Sequence, residues 1–126
     1  MRIKRFNLKD AYKILTSAEW QKASENGFVV TELDTSDGFI HLSTASQLAA
    51  SLSFYFKEYN EVVLLQLKGE DFKDEFIFEE PSQKKKRTSA FPHLYSQLDV
   101  NRISEVWHLK RGGFILPDDV LLESEN

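Results

Sequence analysis

The chain has 126 residues, 41% hydrophobic and 13% aromatic, with ten Phe and a net charge of −4, a balance that suits one folded domain with an ordinary core and excludes a disordered chain. Its mild acidity speaks against a dedicated nucleic-acid or anionic-membrane binder, leaving nucleic acid only a local basic patch, and the lack of cysteine excludes a disulfide framework and a thiolate zinc site or nucleophile. No stretch has the apolar length of a membrane span, and Met1-Arg2-Ile3-Lys4-Arg5 lacks the apolar run of a secretory signal, so a soluble cytoplasmic protein without a membrane partner is expected.

A single domain over residues 1–126 is predicted, with a core from about 10 to 117 and an acidic tail over 118–126. Tyr12-Lys13-Ile14-Leu15 reads as a first strand. Thr16-Ser17-Ala18-Glu19 then forms a capping box, opening a helix to about Asn26 that Gly27 ends in the left-handed conformation, with Trp20 and Ala23 facing inward. Residues 28–31 read as extended, and Leu33 to Gly38 as a polar connector closing in an Asp37-Gly38 turn.

The most informative stretch is Asp37-Gly38-Phe39-Ile40-His41-Leu42-Ser43-Thr44. Strand alternation puts Phe39, His41 and Ser43 on one face, with Ile40, Leu42 and Thr44 on the other, which is core apart from Thr44. His41 and Ser43 therefore face a candidate cleft, although a histidine beside Phe39 also suits a half-buried, hydrogen-bonded strand position. Thr44-Ala45-Ser46-Gln47 makes a second capping box, before a helix whose Leu48, Leu52, Tyr55 or Phe56, and Tyr59 recur at helical spacing. The free N–H groups at this junction suggest a phosphate cradle near Ser43.

Val62 to Leu67 is a near-continuous apolar run, as in a central strand covered on both faces. Phe76 to Glu80 resumes a strand, stopped by Pro81, in which Glu80 shares a face with Phe76 and Phe78, and Glu79 shares one with Ile77. The basic run Lys84-Lys85-Lys86-Arg87 suits a solvated loop, with phosphate binding as the other reading. Phe91-Pro92-His93-Leu94-Tyr95 places His93 and Tyr95 on one side. Residues 103–109 form a last strand, with Val106 and His108 on one side and Trp107 and Leu109 on the other.

No histidine pair has zinc-helix spacing, so no metal ligands are assigned. Ser43 and His41 on one strand face are awkward as a nucleophile and its base, which leaves a polar cleft suited to orienting a ligand and to general acid/base work.

The segments Tyr12 to Leu15, Asp37 to Thr44, Gln47 and Phe91 to Tyr95 together resemble the bacterial family called domain of unknown function 952. The Val106-Trp107 strand and the Phe114-Ile115-Leu116-Pro117 ending extend that likeness over nearly the whole chain. The family is similar to the ADP-ribosyltransferase group, nearest to its RNA 2′-phosphotransferases, where Tyr-His-Gly-Thr, Gly-Leu and Val-His-Leu-Ser occur in order. Here Tyr12 to Leu15, Gly27-Phe28 and Ile40 to Ser43 look like the same parts. NAD is the cofactor implied, yet Lys13 stands where the NAD-contacting histidine would be and Ile14-Leu15 replace Gly-Thr, so the cofactor is left unassigned.

The resemblance implies an α+β fold with split antiparallel sheets around a cleft and flanking helices. It implies a transferase-like site for a nucleotide-like or phosphorylated small molecule, with His41 and Glu80 catalytic and Lys13, Ser43, Thr44, His93 and Tyr95 binding the ligand; Glu79 rivals Glu80 for the carboxylate role. The alternative is a non-catalytic binding or interaction module in which these His and Tyr motifs are structural.

Overall fold

The computed structural model describes residues 9–80, 90–110 and 116–124. Two three-stranded antiparallel sheets carry the fold. The first has the order β1-β3-β6, from Ala11–Thr16, Glu61–Leu67 and Glu105–Lys110, and the second β2-β5-β4, from Ile40–His41, Phe91–Leu94 and Phe76–Glu79. They join where Ser43 pairs with Tyr12 at the outer edge of β1, through Tyr12 N–H to the Ser43 carbonyl at 2.7 Å and the reverse bond at 2.9 Å. The α+β class and the two small antiparallel sheets agree with expectation.

The central β3 is covered on both faces, as its unbroken apolar run requires. Val63, Leu65 and Leu67 join Ala11, Leu15, Leu42, Phe72, Leu94 and Leu98 in one core; Val62 and Leu64 join Tyr12, Ile14, Leu48, Leu52 and Val120 in the other. Helix α1, Ser17–Asn26, has the predicted start and end: Thr16 and Glu19 exchange cap bonds, and Gly27 has φ 92°. Helix α3, Leu48–Tyr55, follows a 3₁₀ turn at Ala45–Gln47, and α4 is the short Gly69–Phe72. No helix among the described residues is long and apolar enough to cross a membrane.

Three readings change. The polar connector is a helix, α2, over Glu32–Asp37, capped by the Thr31 hydroxyl accepting from Asp34 N–H. Gly38 has the positive φ expected of it, 86°, as the residue that ends that helix. The helix lacks apolar periodicity because its one buried residue is Asp34, a charged one. The acidic tail also folds: Asp118–Ser124 is helix α5, with Val120 wholly buried and the Tyr12 hydroxyl donating to Glu123. Finally, the strand begun at Ile40 lasts only to His41, after which Ser43 leaves for β1. The Lys84 to Arg87 run and Phe114-Ile115 lie outside the described residues.

Candidate functional site

The second sheet collects the aromatic and ionisable side chains. Cross-strand register sets His41 opposite His93, His93 opposite Ile77, and Phe91 opposite Glu79, so His41, His93, Ile77, Glu79 and Phe91 lie on one face; Phe39 and Tyr95 follow by alternation. Phe39 is the hub. Its ring stacks on His93 at 4.0 Å between centroids and meets His41 at 4.5 Å and Tyr95 at 5.3 Å, while the two histidine rings meet edge-on at 5.6 Å. Such offset and tilted pairs set a ring's quadrupole against its neighbours and fix the cluster's geometry.

Carboxylates hold both histidines. Asp34 Oδ1 accepts from the His41 backbone N–H at 3.1 Å and lies 2.7 Å from its Nδ1; His41 Nε2 lies 2.9 Å from Asp37 Oδ2. A ring with N–H on both nitrogens donates to both carboxylates. Behind Asp34 stands Lys13, which alternation places on the core face of β1 between Ala11 and Leu15. Its ammonium lies 2.8 Å from Asp34 Oδ2 and donates to the His41 carbonyl at 3.0 Å. Both partners are 7% exposed or less, and a charge so buried persists only when paired. Burial pushes the Asp34 carboxyl up, but the Lys13 charge and the hydrogen bonds from Lys13 and His41 outweigh it and hold the group below the ordinary Asp range.

On the other side of Phe39, Glu79 Oε1 accepts from two residues at once: His93 Nδ1 at 2.5 Å and the Tyr95 hydroxyl at 2.7 Å. The bond from His93, and then that from Tyr95, draw the Glu79 carboxyl below its ordinary range, while the carboxylate raises the Tyr95 phenol. Tyr95 is 54% exposed, and the cluster opens to solvent on this side.

Of the sequence-predicted residues, His41, His93, Tyr95 and Lys13 come together. Glu80 does not: alternation turns it away from His93, and it makes no hydrogen bond or ion pair among the described residues, so the carboxylate in the cluster is Glu79. Ser43 is also elsewhere, buried, with its hydroxyl 3.2 Å from that of Ser51 on α3. Thr44 is spent on the following turn, its N–H donating to Gln47 Oε1 at 2.9 Å and its hydroxyl lying 3.3 Å from that of Ser46. At the expected phosphate cradle, the Thr44 N–H is thus taken by the protein's own Gln47 side chain.

Phe39, Asp34 and Asp37 are the residues that reading by motif missed as members of the site. Each left a signal: Phe39 shares His41's strand face, Asp34 stands three residues after the capping Thr31, and Asp37 precedes His41 by four. Among the described residues no group of three or more His, Asp or Glu side chains is arranged to hold a metal ion.

Comparison with curated proteins returns no match. Among solved structures, the crystal structure of protein CC0527 from Caulobacter crescentus is similar at TM-score 0.74 and 29% identity, covering 89% of this chain and 98% of that one. The solution NMR structure of CC0527 gives TM-score 0.67 and 32% identity, covering 87% and 88%. The family model described as "Protein of unknown function (DUF952)" matches residues 14–106, a span that carries Phe39, His41, Glu79, His93 and Tyr95, and the chain therefore belongs to that family.

Proposed function

We propose that this is a cytoplasmic, ADP-ribosyltransferase-like protein that binds a nucleotide-like ligand against Phe39, His41, Glu79, His93 and Tyr95 and transfers a group to or from it. The observation that carries this reading is the Glu79 carboxylate gripped by both His93 and Tyr95 beside an aromatic hub. A fixed carboxylate at an exposed aromatic rim suits a ligand with a flat base and polar substituents. Tyr95 stacks on the base, Glu79 orients a hydroxyl or stabilises developing positive charge, and His41 reaches the ligand by giving up its exposed contact to Asp37. Lys13 does not touch the ligand in this reading, because its ammonium is committed to Asp34.

An amide NMR titration with NAD⁺, ADP-ribose and a phosphorylated RNA end tests it. Saturable shifts at Phe39, His41 and Tyr95, lost in Tyr95→Ala with an unchanged melting temperature, are expected. The absence of such shifts with all three ligands would overturn the reading.

A second reading, a non-catalytic interaction module, is favoured by one observation: Asp34 and Lys13 satisfy the backbone N–H and carbonyl of His41 as well as each other. On this reading His41→Ala and His93→Ala each cost more than about 1 kcal/mol of stability, the scale of a lost buried hydrogen bond, and no nucleotide binds.

A further inference from the structure

The polar groups of the cluster divide unevenly. Several nitrogen and hydroxyl groups of the cluster face a carboxylate: the Lys13 ammonium and His41 Nδ1 face Asp34, His41 Nε2 faces Asp37, and His93 Nδ1 and the Tyr95 hydroxyl face Glu79. On the Glu79 side of Phe39, His93 Nε2 and Glu79 Oε2 have no partner among the described residues. The His93 side chain is 11% exposed and its ring stacks on that of Phe39.

We propose that Glu79 and His93 form a hydrogen-bond-accepting site for a hydroxyl group of the ligand, with Glu79 as a positioning residue and His93 Nε2 as the acceptor. This rests on the reading of the cluster as a ligand site, and narrows it. Glu79 accepts, so its 2.5 Å contact places a proton on His93 Nδ1, and in the neutral ring the lone pair is then on Nε2. A phosphate oxyanion brought there meets lone pairs and a carboxylate; a hydroxyl finds an acceptor whose orientation is already fixed. The ligand therefore presents a hydroxyl-bearing part, such as a sugar ring, to this side of Phe39, and any phosphate lies away from it.

The test is the ¹⁵N spectrum of the imidazoles in the full-length protein, recorded free and with adenosine, adenine or inorganic phosphate. His93 is expected to be protonated at Nδ1 alone, and its Nε2 resonance to shift with adenosine but not with adenine or phosphate. Glu79→Ala is expected to yield a mixture of the two ring tautomers and to weaken adenosine binding about tenfold, roughly the loss of one well-placed hydrogen bond. Glu79→Gln, which keeps an accepting oxygen, should retain the tautomer. A proton on Nε2 in the free protein, or an equal shift with phosphate, overturns the proposal. If adenosine moves Phe39 and Tyr95 while His93 Nε2 is silent, this inference alone fails and the nucleotide-site reading stands; no shift anywhere in the cluster with adenosine, NAD⁺, ADP-ribose or a phosphorylated RNA end overturns both.

Discussion

Lys13 on β1 donates to the carbonyl of His41 on β2 at 3.0 Å, and with its ion pair to Asp34 this single ammonium ties both sheets and helix α2 together beneath the aromatic cluster. Removing one member of a buried pair leaves the other charge uncompensated, which costs about 3–5 kcal/mol. Lys13→Met is expected to destabilise the protein by that order, measured by urea unfolding. Lys13→Met/Asp34→Leu should recover only part of it, because Asp34 also accepts from the His41 backbone.

Acid should act through the same pair. Asp34 is held below its ordinary value of 3.8, and a depressed folded-state pKa gives stability that is present above the unfolded value and lost as pH falls through the folded one. The unfolded chain then binds the extra proton. Unfolding midpoints are expected to drop as pH falls below about 4, and Asp34→Asn, though less stable at neutral pH, should show a flatter decline. A decline of equal steepness in that variant would assign acid sensitivity to other carboxylates.

Gly38 offers a cleaner backbone test. A Cβ built there meets nothing within 4 Å, so Gly38→Ala carries no clash, only the cost of a left-handed φ of 86°. That cost is about 1–2 kcal/mol. Gly38→Asn should cost less, since Asn tolerates this conformation. Because Gly38 follows Asp37 directly, the alanine variant is also expected to shift the His41 ring resonances, which ¹H–¹⁵N spectra would reveal.

Val120→Ala asks whether α5 belongs to the domain. Val120 is fully buried in the core formed with Tyr12, Leu48 and Leu64, so removing two methyl groups should cost about 2 kcal/mol. A solvated tail would show no change in the denaturation midpoint.

These comparisons mark where local pattern suffices and where it stops. Capping chemistry was legible because it is written within four residues: Thr16 with Glu19, then Gly27. The buried β3 was legible from its unbroken apolar run, and the shared side of His93 and Tyr95 from simple alternation. Helix α2 was not, since its buried residue pairs with Lys13 far away in sequence and periodicity scores it as polar. Ser43 was misplaced because alternation assumes a continuing strand, whereas the backbone changes sheets after His41. The choice between Glu79 and Glu80 depends on pairing between β4 and β5, and cross-strand register is a tertiary fact. The helical fold of 118–124 turned on Val120 finding Tyr12 and Leu48 on the far side of the first sheet.

The two-sheet pairing also bears on how the protein is made. Sheet one needs β6 to lie against β3, and the aromatic cluster needs β5 between β2 and β4, so neither forms from the first half of the chain. Long-range antiparallel pairing of this kind raises loop-closure entropy and slows folding. On the ribosome, Val62 to Leu67 emerges well before Glu105–Lys110 and has only β1 to pair with, leaving one strand edge open to other chains during synthesis. The contact between Phe39 and His93 thus reports that translation has passed the fifth strand, and an aromatic signal from it would time the maturation of the nascent protein.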